Sequence, residues 1–243
     1  MSPIVPRAHP RFYPLIAIVL VAFTVIAFSR SYYLRFLSDF PPLRVVFHVH
    51  GLVFTAWLAL FVTQTQLIAA RRVDLHMKLG IAGVLLSFLV VMTGVAAMFV
   101  SAATPRITLL GLTAAQASIL PLTAITPFAI LVTAGVALRH RTSLHRRLML
   151  LAMISVLGPP TARLIAMLGG RQYALLIQMT VIAVFVIACL AYDWRKNRVV
   201  HPVFAIGGIA LVLLWPLRYT VGRSEMWRPI GEWIAEAGKR LIG

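Results

Sequence analysis

Acidic residues and cysteine are scarce in this sequence. Only six of its 243 residues are Asp or Glu, against 23 Lys or Arg, and Cys189 is the one cysteine. A single thiol excludes an intrachain disulfide framework. All six acids fall outside the long apolar stretches. Carboxylate-bridged di-iron sites, carboxylate proton relays within a membrane and the paired acids of glycosidases are therefore disfavoured.

Other chemical motifs are absent as well. The sequence contains no phosphate-binding loop and no nucleophile motif, and its last apolar stretch has no Lys for a retinal Schiff base. The formal net charge of +17 does not indicate nucleic acid binding, because the basic residues lie mainly in short loops beside apolar segments. Anionic lipid headgroups, and the charge bias that orients membrane proteins, explain that placement better.

Long apolar runs dominate the remainder of the sequence. Hydrophobic residues make up 60% of the chain and charged residues 12%, which is about half the charged fraction of a typical soluble domain. A helix needs about 20 mostly apolar residues to cross a bilayer. Seven segments meet that requirement, namely residues 13–32, 44–69, 75–100, 115–138, 144–168, 172–192 and 202–220. We therefore predict an all-α integral membrane protein, a seven-transmembrane helical bundle that occupies residues 1–222.

The C-terminal segment, residues 223–243, is amphipathic rather than apolar. Trp227, Ile230, Ile234 and Leu241 fall near one helical face, and charged residues occupy the rest. This pattern predicts a helix that lies in the plane of the membrane interface. A helix that docks on a partner subunit fits the same pattern.

Prolines and basic residues predict the shape and orientation of the bundle. Pro159 and Pro160 should break the fifth segment, and Pro127 should bend the fourth. Ten basic residues lie at the three loops on the N-terminal side of the bundle, against six at the loops on the other side. This bias favours a cytoplasmic N-terminus.

A short sequence motif is repeated at the beginnings of two predicted helices. Residues 72–79 (RVDLHMKL) and 141–148 (RTSLHRRL) share Arg, Leu-His, a basic residue and Leu at identical spacing, and residues 198–201 (RVVH) are a fainter copy. The repeated motif predicts that pairs of helices form a parallel structural repeat.

The same motifs carry a resemblance to a known family. Together with residues 32–35 (YYLR), 41–43 (PPL), 48–51 (HVHG) and 54–57 (FTAW), they resemble a widespread bacterial family of multi-pass membrane proteins over about residues 30–165. The resemblance implies a multi-pass fold and an importance of the histidines, but no particular activity. Met77 and Lys78 depart from the Arg-Arg or Arg-Trp that is frequent in that family. We expect a protein of the bacterial cytoplasmic (inner) membrane.

Polar side chains at membrane depth define a first candidate site. His48 and His50 lie near the outer end of the second segment. Helical rise places Arg163 and Gln178 at a similar depth, and Arg44 precedes His48 by one turn. Such a layer predicts an outer-leaflet pocket for a lipophilic or anionic small molecule, quinone- or lipid-like, for transport, sensing or accessory redox work. Alternatively, the Arg163 side chain snorkels outward and the histidines bond neighbouring backbone.

Three further histidines support a second interpretation. His76, His145 and His201 share a depth near the cytoplasmic boundary, where they could ligate b-type haem between facing helices. Their position near the headgroups makes contact with lipid phosphate the simpler explanation. A third interpretation is a structural or accessory subunit of a larger membrane complex. Neither an enzymatic activity nor a metal site follows from these residues.

Overall fold

The computed structural model describes residues 11–108 and 110–242. Within these residues the chain forms α-helices and no β-strand. The helices are α1 (Phe12–Phe28), α2 (Val45–Ala69), α3 (Val73–Ala103), α4 (Ile119–Ala137), α5 (Thr142–Ser155), α6 (Gly158–Leu168), α7 (Ala174–Asn197), α8 (Pro202–Gly222) and α9 (Arg228–Ile242). Since α5 and α6 form one span, seven helical segments are long and apolar enough to cross a membrane. The predicted multi-pass helical bundle is confirmed.

Three antiparallel helix pairs make up most of the bundle: α2 with α3, α4 with α5, and α7 with α8. Their short connections, residues 70–72, 138–141 and 198–201, lie at one end, which we call the basic end; the opposite end is the far end. The repeated sequence is matched by its backbone. Arg72 (φ −88°, ψ 60°) and Arg141 (φ −94°, ψ 78°) precede α3 and α5 in similar conformations. Each accepts a 3.0 Å hydrogen bond from the amide of the repeated histidine.

The fifth span is broken in its middle, as its prolines predict. The helix α5 ends at Ser155 and α6 begins at Gly158. Pro159 and Pro160 have no amide hydrogen to donate to the carbonyls four residues earlier, so the helical ladder is interrupted here. The fifth span is nevertheless by far the most buried of the seven. Its break therefore lies inside the bundle rather than at its surface.

The helix α9 packs on its own bundle at the far end. Its buried face consists of Gly231, Ile234 and Gly238, and it lies against α3 and the turn that precedes α4. A Cβ atom at Gly238 would overlap the carbonyl of Phe99, so the backbones of α9 and α3 are in direct contact where the two helices cross. Trp233 contacts the Phe99 ring edge-on at 6.0 Å. The amphipathic helix is thus present, and its position in a membrane interface stays a prediction.

Candidate functional site

His50 is the best-defined polar side chain near the far end of α2. Its Nδ1 lies 3.1 Å from Oγ1 of Thr93 on α3. The Thr93 hydroxyl has one hydrogen, which it donates to the carbonyl of Leu89 at 2.7 Å. It must therefore accept from His50, which places the imidazole hydrogen on Nδ1 and leaves a lone pair on Nε2.

The His50 ring is also fixed by packing. A Cβ atom at Gly94 would lie 3.4 Å from Cε1 of His50, so the absent side chain lets the ring rest against α3. The Phe54 ring stacks on it at 5.9 Å. No described residue hydrogen-bonds Nε2, which leaves this atom as an oriented acceptor.

Arg163 on α6 is the charged neighbour of His50. Its guanidinium lies 4.2 Å from the centre of the Phe28 ring and donates to the carbonyl of Pro159 at 3.3 Å. It interacts electrostatically with both His50 and Arg106. Many protein atoms surround this side chain, yet part of it stays accessible at the bundle surface. The arrangement is therefore open to the bundle surface.

Arg106 adds a second positive charge from the loop between α3 and α4. Its guanidinium donates to Oγ of Ser101, and burial lowers its pKa below the ordinary value. In the described part of the chain neither Arg106 nor Arg163 forms an ion pair with a carboxylate. We call His50, Thr93, Arg106 and Arg163 the far-end cluster. Two neighbouring cations without an acid favour an anionic ligand electrostatically.

The other predicted members of this site lie outside the cluster. His48 is exposed, two residues from His50 on another face of α2, and its carbonyl accepts from the Tyr32 hydroxyl at 3.2 Å. Arg44 is exposed just before α2 begins. Gln178 is buried on α7 and takes no part in the contacts that join the four cluster residues. The structure therefore brings His50 and Arg163 together and leaves His48, Arg44 and Gln178 apart from them.

At the basic end, His76 and His145 face each other across the repeated helix pairs. Their ring centres are 6.2 Å apart with the planes at 77°. Nδ1 of His145 lies 2.7 Å from the carbonyl of Gly135, so it carries the hydrogen and Nε2 has the lone pair. Nδ1 of His76 and Oε1 of Gln64 are enclosed by the protein without a well-formed hydrogen bond, and the backbone of Gln64 lies beside the His76 ring. The structure thus pairs two of the three predicted haem histidines.

His201 has a different position and a different task. Its Nδ1 accepts from the amide of Val203 at 3.2 Å and so caps the beginning of α8. Burial, followed by the nearby positive charge of Arg147, lowers the His201 pKa. It neighbours an ion pair rather than the His76 and His145 rings.

That ion pair joins Arg147 on α5 to Asp193 on α7 inside the bundle. Nη2 of Arg147 lies 2.6 Å from Oδ1 of Asp193, and both side chains are almost completely buried. The sequence placed Asp193 just beyond an apolar segment, and α7 instead continues to Asn197 with the acid enclosed. No sequence signal pairs these two residues, which are 46 positions apart.

Metal ligation by a larger cluster finds no support in the described residues, where no three His, Cys, Asp or Glu side chains are grouped to hold an ion. Comparisons of the chain with protein-family models, with curated proteins and with solved structures gave no match. The family resemblance therefore stays a prediction, and the chemistry of the two polar layers carries the functional argument.

Proposed function

We propose that this protein binds an anionic, lipophilic small molecule, lipid- or quinone-like, at the far-end cluster. The observation that carries the proposal is the electrostatic interaction of the oriented His50 ring with Arg163. One presents an oriented lone pair at Nε2, and the other a cation without a carboxylate partner in the described chain. An acid or a polarised oxygen suits the arginine, and a hydroxyl suits the histidine.

The far-end cluster suits an amphiphile better than a small polar metabolite. Arg106 and Arg163 supply positive charge near one end of the bundle, while apolar side chains dominate the surrounding helix surfaces. Phe28 stacks on the Arg163 guanidinium and adds an apolar wall. A headgroup at the arginines would place an acyl or isoprenoid tail along the outside of the helices, where bilayer lipid also lies.

We place the far end in the outer leaflet of a bacterial inner membrane, with the N-terminus in the cytoplasm. The basic residues of the three short loops support this orientation. A binding site open to the outer leaflet would serve the transport, sensing or accessory redox handling of its ligand. Anionic headgroups would contact the basic end.

Binding of dodecyl phosphate to the purified protein in a maltoside detergent tests this proposal. We expect saturable binding in an equilibrium titration, and about 10–100-fold weaker binding by Arg163→Gln, because one charge-assisted hydrogen bond contributes about 1.5–3 kcal/mol. The matched control is Arg171→Gln, an exposed arginine at the same end but outside the cluster. Decylubiquinone, titrated in parallel, separates a quinone from an anionic lipid as the preferred ligand. Equal affinity of Arg163→Gln and wild type, or no binding of either probe, would refute the site.

A second candidate, b-type haem binding, rests on the pairing of His76 with His145. A ligating histidine usually donates a hydrogen bond from its second ring nitrogen to a carbonyl, as Nδ1 of His145 does to the carbonyl of Gly135. The accessory-subunit alternative has no comparable observation behind it. An absorption spectrum separates the haem candidate from the lipid-binding proposal.

A further inference from the structure

Arg218 on α8 is a buried cation with an unusual set of partners. Its side chain is 2% exposed, its Nε donates to the carbonyl of Leu214 at 3.2 Å, and its Nη2 lies 3.4 Å from the carbonyl of Thr123. The Thr123 carbonyl lacks a helical donor because Pro127, four residues later, has no amide hydrogen. Both partners are therefore neutral backbone groups.

The charge of Arg218 is not neutralised by an acid in the described part of the chain. The buried Arg147 differs in this respect, because Asp193 pairs with it through two hydrogen bonds. No described Asp or Glu forms an ion pair with Arg218. An unpaired charge in a low-dielectric interior is costly, and a bound counter-ion would remove that cost.

A second unsatisfied donor lies beside Arg218. The Arg218 guanidinium stacks over the Trp215 ring at 4.2 Å, and Nε1 of Trp215 is enclosed without any partner. Nη1 of Arg218 likewise has no acceptor among the described residues. Both groups can only donate, and the described chain makes no hydrogen bond to either.

Both side chains lie at the break in the fifth span. A Cβ atom at Gly158 would lie 2.7 Å from Cζ2 of Trp215 and 4.0 Å from Nη1 of Arg218. Cζ2 is bonded to the carbon that carries Nε1, so the indole ring and the guanidinium both lie against the beginning of α6. Gly158 also begins α6, an 11-residue helix whose positive dipole end points here.

We propose that this break holds a small monovalent anion of halide size, bound by the Arg218 guanidinium and the Trp215 indole N–H. Both side chains are 2% exposed, so the site has no access for a headgroup or a tail. The alternative occupant is a water molecule, which could also use the carbonyls of Ser155 and Val156 that Pro159 and Pro160 leave without donors. The anion site is separate from the far-end cluster and does not depend on it.

Halide-dependent unfolding of the purified protein tests the anion. The protein is dialysed exhaustively into sodium gluconate, and Tm is then measured as chloride or bromide replaces gluconate at constant ionic strength. We expect a saturable rise in the wild-type Tm of at least about 2–4 °C. Trp215→Phe keeps an aromatic ring but removes the indole N–H together with part of the ring volume, so it should lower the basal Tm and lose most of the halide-dependent rise. Arg218→Gln should abolish it.

Matched controls are Trp233→Phe, which changes an exposed tryptophan on α9, and Arg171→Gln, which removes an exposed arginine. Both should keep the wild-type halide response. If Arg218→Gln does not fold, Trp215→Phe still decides the result. A wild-type Tm independent of halide would indicate water alone and overturn the proposal, as would an undiminished response in Trp215→Phe.

Discussion

Arg147 and Asp193 connect α5 to α7 through two hydrogen bonds, Nε to Oδ2 at 3.0 Å and Nη2 to Oδ1 at 2.6 Å. Ser143 accepts from Nη1 of the arginine, and the amide of His201 donates to the aspartate at 3.2 Å. Both charges are thus paired and also hydrogen-bonded to further groups, the condition under which a buried ion pair is tolerated. The pair fixes the central span against the last helix pair.

Asp193→Asn should destabilise the protein by about 3–5 kcal/mol, because it leaves the Arg147 charge buried without a counter-charge. Unfolding in detergent, followed by helical circular dichroism, measures the change. Asp74→Asn is the control, since Asp74 is exposed and lies 3.9 Å from Arg72. Its loss should cost no more than about 1 kcal/mol. Equal changes in the free energy of unfolding for the two substitutions would show that the buried Asp193 ion pair stabilises the protein no more than the exposed Asp74 pair.

The His76 and His145 pair predicts the spectrum of the purified protein if the haem candidate is correct. A Soret band should then be present, and both His76→Ala and His145→Ala should lose it, because one axial ligand is removed in each. His140→Ala, an exposed histidine at the same end, should retain the band. A colourless wild-type protein, expressed with haem supplied, would end this candidate and leave the lipid-binding proposal untouched.

Gly238→Leu should detach α9 from the bundle, because a Cβ atom at this position overlaps the Phe99 carbonyl. Overpacking of this kind costs about 1–3 kcal/mol or more. Faster amide hydrogen exchange over residues 228–242 would report the loss of packing. Gly80→Ala is the control, since nothing lies within 4 Å of a Cβ atom there, and it should slightly stabilise α3. Unchanged exchange in Gly238→Leu would contradict the close crossing.

Protonation of His201 should weaken the protein at acidic pH. Burial and Arg147 lower its pKa in the folded state, so the folded protein favours the neutral ring. The neutral ring therefore contributes its full stabilisation above the His201 pKa of the unfolded chain, about 6.5. This stabilisation is lost as the pH falls through the lower His201 pKa of the folded protein. His201→Asn keeps an acceptor at the helix cap without a titrating group. We expect it to show a smaller fall in Tm between pH 7.5 and 5.5 than wild type.

Opposite behaviour would also be informative for His201. A wild-type Tm that rises on acidification, with no difference in His201→Asn, would exclude the role of the neutral ring at this cap. His140→Asn, which changes an exposed histidine, controls for the general effect of pH on a strongly basic chain.

Several features of this protein follow from local properties of the chain. Seven spans are predictable because the thickness of the hydrocarbon layer requires a minimum run of apolar residues, and each run is visible by itself. The break after Ser155 is predictable because Pro159 and Pro160 lack amide hydrogens wherever they occur. The repeat is visible in residues 72–79 and 141–148, whose helix beginnings share one backbone conformation.

Only the tertiary structure shows which side chains contact each other inside the bundle. Helical rise predicted a similar depth for His50 and Arg163. It did not predict that the Thr93 hydroxyl orients the His50 ring, or that Arg106 adds a second charge beside Arg163. Asp193 was predicted to lie outside the apolar segments and instead pairs with Arg147 in the interior. The depth of a residue in the membrane depends on its distance along its own helix. Its contacts with other helices depend on how each helix is rotated about its axis and on which helices are its neighbours. Those are set by packing between residues far apart in the chain.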